Sequence, residues 1–162
     1  MNNKFIKVGD IFEIPLSNNK KAFGQYVFWD SKNGPLIKVF DLITNLEEQI
    51  PIEDIIARKE LFPPVITGLM AAIKIGLWKI VGHSEVKDFI FPEFISAFVD
   101  YKSGKVGYWY LWNGINSTNL GHELPEKFKN LEFLVVHSPY DIPERIETGV
   151  KPYDSLIRFN KI

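Results

Sequence analysis

The amino-acid sequence predicts a mainly β protein of the α+β class, with one antiparallel, partly barrel-like sheet and two or three short helices. Three observations support this prediction. Apolar and polar residues alternate in several short segments, turn-forming residues separate these segments, and aromatic residues make up 14% of the chain. Alternation is typical of strands with one buried face, and large flat side chains pack well on a pleated sheet. A chain of 162 residues without an internal repeat or linker is expected to form a single domain, residues 1–162.

Three strands are expected early in the chain, at residues 12–16, 22–29 and 36–40, with polar turns at 17–21 and 30–35. The first strand places Phe12, Ile14 and Leu16 on one face, because side chains alternate along a strand. Pro15 has no backbone N–H, so it belongs at an edge or at a position without a ladder hydrogen bond. Gly24, inside the second strand, indicates a bulge or the close approach of another group to the backbone.

A short helix is expected after the third strand. Pro51 fits the first helical position, where its missing N–H is not needed. Ile52, Ile55 and Ile56 then face the core, and the helix ends near Glu60.

The next segment is harder to assign. Pro63 and Pro64 are expected to interrupt whatever structure precedes them. Residues 65–75 fit a buried strand followed by a helical turn that stops at Gly76, but periodicity alone does not decide between strand and helix. A strand is expected at 78–81.

The second half of the chain is predicted to hold a hairpin and a third helix. Strands are expected at 94–99, 106–112, 131–136 and 156–159, the first two forming the hairpin. Asp141 is a suitable N-cap for a helix over residues 142–148, and Gly149 is a suitable residue to end it.

Composition excludes several classes of protein. The chain has no cysteine, so disulfides, thiolate nucleophiles and iron–sulfur clusters are excluded. Its net charge is −1 without a basic stripe, which argues against a nucleic-acid partner. No apolar run approaches the ~20 residues of a membrane span, and no secretory signal precedes the first strand. We therefore expect a cytoplasmic protein with no membrane partner.

The sequence offers little catalytic chemistry. No nucleophile elbow and no glycine-rich phosphate loop occurs. His83, His122 and His137 lack the short fixed spacings of a zinc site. We therefore expect no catalytic residue, no metal and no cofactor. A small hydrolase built on His122, Glu123 and His137 is kept as an alternative to the binding functions considered next.

Binding is better supported than catalysis. In the strand 106–112, alternation places Tyr108, Tyr110 and Trp112 on one face, with Trp109 and Leu111 on the other. One face is expected in the core, and the other lies under a helix or forms an aromatic platform. Tyr and Trp are enriched at interfaces, so a platform of Tyr108, Tyr110 and Trp112 would suit a protein partner, a glycan or a nucleobase.

A second candidate surface is acidic. Five acids fall within fourteen positions, opposed there by Arg58 and Lys59; they are Glu47, Glu48, Glu53, Asp54 and Glu60. If the isoleucines of the short helix face the core, its acids point outward. Clustered charge sets the local field even on a nearly neutral protein, so this patch could attract a basic partner.

Several segments together resemble a known family. They are VGDIFEIPL at 8–16, KAFGQ at 21–25, WKIVGH at 78–83, Phe94-Ile95, Asp100, Ser103-Gly104-Lys105, Tyr110, Asn113-Gly114, Leu131-Glu132, Val135-Val136-His137, Ile142 and Glu144-Arg145-Ile146. In order and spacing they resemble immunity protein 26, a bacterial family of antidotes encoded beside polymorphic toxins. The resemblance runs from residue 8 to about residue 147.

The resemblance implies a protein that binds and neutralises a cognate toxin domain without catalysis. It carries no set of binding residues. The candidates are therefore those of the two surfaces above: Glu47, Glu48, Glu53, Asp54, Tyr108, Tyr110 and Trp112. The toxin's identity and chemistry, and the oligomeric state of the chain, stay open.

Overall fold

The computed structural model describes residues 5–151 of a chain that divides into two compact units. The first unit comprises Met1–Phe89 and Val136–Gly149, and the second comprises Ile90–Val135 and Val150–Ile162. The single-domain organisation stays a prediction. The predicted strand at 156–159 lies outside the described residues.

The described residues form mostly short strands. The strands are β1 (Asp10–Pro15), β2 (Lys20–Asp30), β3 (Gly34–Phe40), β4 (Thr44–Asn45), β5 (Glu60–Thr67), β6 (Lys79–His83), β7 (Phe94–Val99), β8 (Val106–Trp112), β9 (Ser117–Gly121), β10 (Glu132–Phe133) and β11 (Val136–His137). The helices are α1 (Ile52–Ile56), α2 (Leu69–Lys74) and α3 (Asp141–Thr148), with a 3-10 turn at Glu126–Phe128. The predicted mainly β, α+β class with up to three short helices is confirmed. Within residues 5–151, no helix has the length and apolar character needed to cross a bilayer.

Each unit contains one sheet. The first unit holds a seven-stranded sheet in the order β11-β5-β3-β2-β1-β6, with β4 also paired to β2. The second unit holds a four-stranded sheet in the order β10-β7-β8-β9. Neighbouring strands are antiparallel except for two short parallel pairs, β11 with β5 and β10 with β7. The prediction of one antiparallel, partly barrel-like sheet is therefore corrected in detail: residues 5–151 form two mixed sheets, and neither closes on itself.

The sheet of the first unit is buried on both faces. On one face, strand residues pack with α2, α3 and Trp78; the buried members of this core are Phe12, Ile14, Ala22, Tyr26, Ile37, Val39, Val65, Leu69, Ala72, Trp78, Ile142 and Ile146. Phe12 stacks on Trp78 with ring centroids 5.2 Å apart. On the other face, Ile11, Phe23 and Phe40 pack against Ile55 of α1. Alternate residues of one strand therefore enter two different cores.

Helix α1 differs from its prediction in length and in orientation. It spans only Ile52–Ile56, with Pro51 at the N-cap and not at the first helical position. Ile55 is fully buried and Ile52 is half-buried, but Ile56 is exposed. The helix does not reach Glu60, because Glu60 already pairs with Phe40 at the start of β5.

The uncertain segment 65–75 contains both a strand and a helix. β5 ends at Thr67, α2 follows at Leu69–Lys74, and Gly76 takes a positive φ of 75° after it. The expectation that Pro63 and Pro64 interrupt regular structure is wrong, because both lie inside β5. Val65 pairs with Ile37 and Phe62 with Val39, so the two prolines lie in an irregular stretch of the ladder. Bulges of this kind accept residues without an N–H.

The second unit is built around the predicted hairpin of β7 and β8, which is confirmed. Its register pairs Phe94 with Trp112 and Phe98 with Tyr108. β9, which the sequence pattern does not predict, continues the sheet beyond β8. On the opposite face from Phe94, Trp109 contacts Phe133 edge to face, with ring centroids 6.3 Å apart.

Two further predictions near the end of the described chain need correction. The single strand expected at 131–136 is in fact β10 and β11, which belong to different sheets. Asp141 is the first residue of α3, and Tyr140 occupies the N-cap without a side-chain hydrogen bond. Gly149 ends the helix as predicted, in the left-handed conformation with φ of 72°.

The close approach predicted at Gly24 gives the first testable expectation. A Cβ at this position would lie 2.5 Å from the ring of Phe12, which is held by its stack on Trp78. We expect Gly24→Ala to lower the free energy of unfolding by about 1–3 kcal/mol, the usual cost of overpacking a core. Unfolding in urea measures this free energy for the variant and for the unmodified chain. Gly68→Ala is the matched control, because its Cβ would lie at an ordinary 3.6 Å from Pro139. Equal stability of both variants would show that the ring moves aside without cost.

Candidate functional site

The acidic segment, residues 47–60, lies on the surface of the first unit as predicted for its acids. Ile55 is buried against the sheet, and Ile50 and Ile52 pack on the same small core. These three isoleucines fix the segment to the sheet. Its five acids, Glu47, Glu48, Glu53, Asp54 and Glu60, are all exposed.

The acids of this segment are almost free of internal partners. Among residues 5–151, none of the five makes an ion pair, and Glu48 accepts one hydrogen bond from the backbone N–H of Asn45 at 3.1 Å. Exposed aliphatic side chains occur within and beside the same segment; they are Ile43, Leu46, Ile56 and Leu61. Unpaired charge together with exposed apolar area suits a surface that contacts another protein.

The predicted aromatic platform is not assembled as expected. Trp112 is only 5% exposed, because its end of the hairpin, with Phe94, is buried. Tyr110 is half-buried, and Tyr108 is exposed. Trp112 is therefore not available for stacking against a ligand, which weakens the glycan or nucleobase alternative. The contact of Tyr108 and Tyr110 with a partner stays a prediction.

A different row of rings forms at the exposed end of the hairpin. Phe98 lies directly opposite Tyr108, and the Tyr108 and His122 rings are 4.5 Å apart. All three rings, those of Phe98, Tyr108 and His122, are exposed. Sequence reasoning missed Phe98 and His122. The hairpin register could have indicated Phe98, whereas His122 becomes a neighbour only through the unpredicted β9.

The His122 ring has a defined orientation. Its Nδ1 lies 2.6 Å from the backbone oxygen of Gly107. A carbonyl oxygen only accepts hydrogen bonds, so Nδ1 carries a proton and donates it. This bond holds the imidazole beside Tyr108.

The turn between β7 and β8 is held by its own side chains. Asp100 accepts hydrogen bonds from the Lys102 N–H and the Ser103 hydroxyl, both at 2.9 Å. Its backbone N–H bonds the Lys105 oxygen at 2.9 Å, and its carbonyl accepts the Gly104 N–H at 2.7 Å. Ser103 Oγ also accepts the Lys105 N–H at 3.3 Å. The hydrogen bond from the Lys102 N–H, followed by that from Ser103, lowers the pKa of Asp100.

His122, Glu123 and His137 do not belong to one unit of the chain. Within residues 5–151 no group of three His, Asp or Glu side chains could hold a metal ion. His137 is buried in β11 of the first unit, whereas His122 and Glu123 are exposed in the second. The hydrolase built on these three residues therefore stays an untested alternative.

His83 belongs to a structural pair that sequence reasoning missed. Its Nδ1 lies 2.9 Å from the buried carboxylate of Asp10, which also accepts the Lys7 N–H at 3.0 Å. The imidazole covers Gly9, whose φ is +101°. This contact joins the start of β1 to the end of β6, so we interpret Asp10 and His83 as residues that hold the sheet edge.

Comparison with known proteins identifies the family. The model of the family described as immunity protein 26 matches residues 7–103, which is more than half of the chain. The chain belongs to the immunity protein 26 family. The comparisons with curated proteins and with solved structures find no match. The matched span holds residues 7–89 of the first unit, together with β7 and most of the turn that follows it. The resembling segments after residue 103 lie outside this span.

The turn of the hairpin gives a pH-dependent prediction. Because hydrogen bonds favour the charged form of Asp100, its folded pKa lies below its usual value. The carboxylate's contribution to the turn is then complete above the usual Asp range and is lost as pH falls through the lower folded pKa. In an acid titration by NMR, the Lys102 amide should shift with this lowered midpoint.

Asp100→Asn is the control for this titration. The variant cannot ionise at this position, so its Lys102 amide should show no such transition. A midpoint at or above the usual Asp value in the unmodified chain would contradict the hydrogen-bonded turn.

Proposed function

We propose that this chain is an immunity protein that binds a cognate bacterial polymorphic toxin domain in the cytoplasm and neutralises it without catalysis. Membership of the immunity protein 26 family is the observation that carries the proposal. Binding over the toxin's active site, or across the path of its substrate, would be sufficient for protection. Such a mechanism needs a stable scaffold with an accessible surface and no reacting group.

The architecture suits that task. In the first unit, both faces of the sheet are buried, so the sheet serves as a stable scaffold. The acidic segment packs on the outside of this scaffold through Ile50, Ile52 and Ile55. In the second unit, the buried residues Trp109 and Trp112 support a hairpin whose far end is exposed. Both units therefore present exposed side chains on a supported backbone.

We propose that Glu47, Glu48, Glu53 and Asp54 attract the toxin over a distance. Their carboxylates are exposed and have no basic partner among the described residues. Complementary charge mainly raises the association rate. It acts over roughly a Debye length, about 8 Å at physiological salt. The proposal fits a toxin domain with a basic face and does not require a nuclease.

Co-expression with the toxin domain of the adjoining gene tests the proposed function. We expect cells that produce both proteins to grow, and cells that produce the toxin domain alone to stop growing. An immunity protein for an unrelated toxin serves as the control and should not protect. The same growth arrest with and without this chain would contradict the proposal.

Stoichiometry separates binding from catalysis in the same system. Toxin activity should fall in proportion to the added immunity protein and reach its minimum near a 1:1 ratio. If a small fraction of one equivalent inactivated all of the toxin, the chain would be an enzyme.

The attraction by the acidic segment predicts a rate effect. Changing Glu47, Glu48, Glu53 and Asp54 to Lys should slow association with the toxin domain by about tenfold or more at low salt and flatten its salt dependence. Stopped-flow fluorescence at several salt concentrations measures both. The circular dichroism spectrum should stay unchanged, because these side chains are exposed.

A second fourfold variant controls for net charge. Glu85, Glu93, Glu123 and Glu144 are also exposed, and their change to Lys alters the net charge by the same amount. Association should slow much less in this control. Equal slowing in both variants would show that the position of the acids does not matter.

A further inference from the structure

We propose that the tip of the β7–β8 hairpin is the anchor that enters a cleft of the toxin domain, a cleft with apolar walls and acidic groups at its rim. The tip comprises residues 98–105 together with Tyr108 and is called the finger below. This inference rests on the proposed function. It adds which part of this chain makes the contact and what chemistry the contacted cleft of the toxin domain has.

The finger carries an unusual amount of exposed aromatic surface. Tyr101 at its end is 98% exposed, Phe98 is 61% exposed and Tyr108 is 40% exposed. Phe98 and Tyr108 lie side by side in the register, and His122 extends their row. Large aromatic residues dominate binding energy at interfaces because they bury much area with few rotatable bonds.

The backbone that presents these rings is already ordered. Five hydrogen bonds close the turn, three of them made by the side chains of Asp100 and Ser103. A loop fixed in this way loses little conformational entropy on binding. A hairpin held by its own turn is therefore suited to insertion into a preformed cleft.

Charge indicates what lines the rim of that cleft. Lys102 and Lys105 are exposed, and neither ammonium group has an acidic partner within residues 5–151. The acid of the finger, Asp100, directs its carboxylate at the turn and accepts two hydrogen bonds there. The finger thus presents aromatic rings flanked by two free positive charges, and its complement is apolar inside and acidic at the rim.

Single substitutions in the full-length chain test the aromatic part. Binding of the toxin domain from the adjoining gene is measured by titration calorimetry and by growth protection. We expect Tyr101→Ala to weaken binding at least about 30-fold, the effect of a hot-spot residue worth ~2 kcal/mol. Tyr140→Ala is the matched control, because Tyr140 is a 66% exposed tyrosine of the first unit and should leave binding unchanged.

A charge reversal tests the acidic rim. Lys102→Glu combined with Lys105→Glu should weaken binding about tenfold or more, because like charges then face each other. Lys79→Glu combined with Lys87→Glu makes the same change in net charge at exposed positions of the first unit and should have little effect. Thermal unfolding of each variant checks that the fold is intact.

The outcomes separate this inference from the proposed function. Loss of binding in the finger variants with both controls intact supports the finger. Full binding and protection by Tyr101→Ala would overturn the finger while the immunity function stands, as would equal losses in the variants and their controls. If the unmodified chain neither binds the toxin domain nor protects, the proposed function fails and the finger proposal fails with it. Tyr101-dependent binding of a glycan or oligonucleotide panel, without toxin binding, would also overturn it.

Discussion

The first unit depends on strand β2 being buried on both faces. Seven consecutive residues, Lys21 to Val27, are buried, and the strand pairs with β1, β3 and β4. Ala22 and Tyr26 enter the larger core while Phe23 enters the smaller one. A strand in this position needs apolar residues at odd and even positions, and helices or loops must cover both faces of its sheet.

Polar residues of β2 are tolerated only because they have partners. The Lys21 ammonium group lies 2.6 Å from a Glu13 oxygen on the neighbouring strand, and Gln25 donates to the Ser84 oxygen at 2.9 Å. Removing Glu13 alone would leave a buried charge without a partner, a defect that commonly costs about 3–5 kcal/mol. At Gly24 the strand has no side chain, because the Phe12 ring occupies the space that a side chain would need. The interior residues of this sheet are thus buried and paired, so the proposed binding surface of the first unit is a segment packed on the outside of the sheet.

The sequence predicted the parts of the fold that depend on local pattern. Strands β1 to β3, β6 and the β7–β8 hairpin follow from alternation and turn residues, as does the outward direction of Glu53 and Asp54 opposite Ile55. The errors concern features that arise from pairing between distant segments. Pro63 and Pro64 lie in a strand because of an irregular ladder with β3, and residues 131–136 split because their two ends join different sheets. Likewise, alternation correctly places Trp112 and Tyr108 on the same face of β8. It does not show that other residues bury this face at Trp112 and leave it exposed at Tyr108.

The two proposed surfaces act over different distances, and this difference decides what each contributes to neutralisation. In this proposal, charges on the acidic segment would act before contact and would change how often the toxin arrives in a useful orientation. Aromatic rings on the finger would act only at contact, where buried area and a fixed backbone would slow dissociation. An antidote must meet its toxin quickly and then hold it for as long as the toxin persists. A charged segment on one unit and an ordered aromatic hairpin on the other would meet these two demands with separate residues, so that each can change without altering the other.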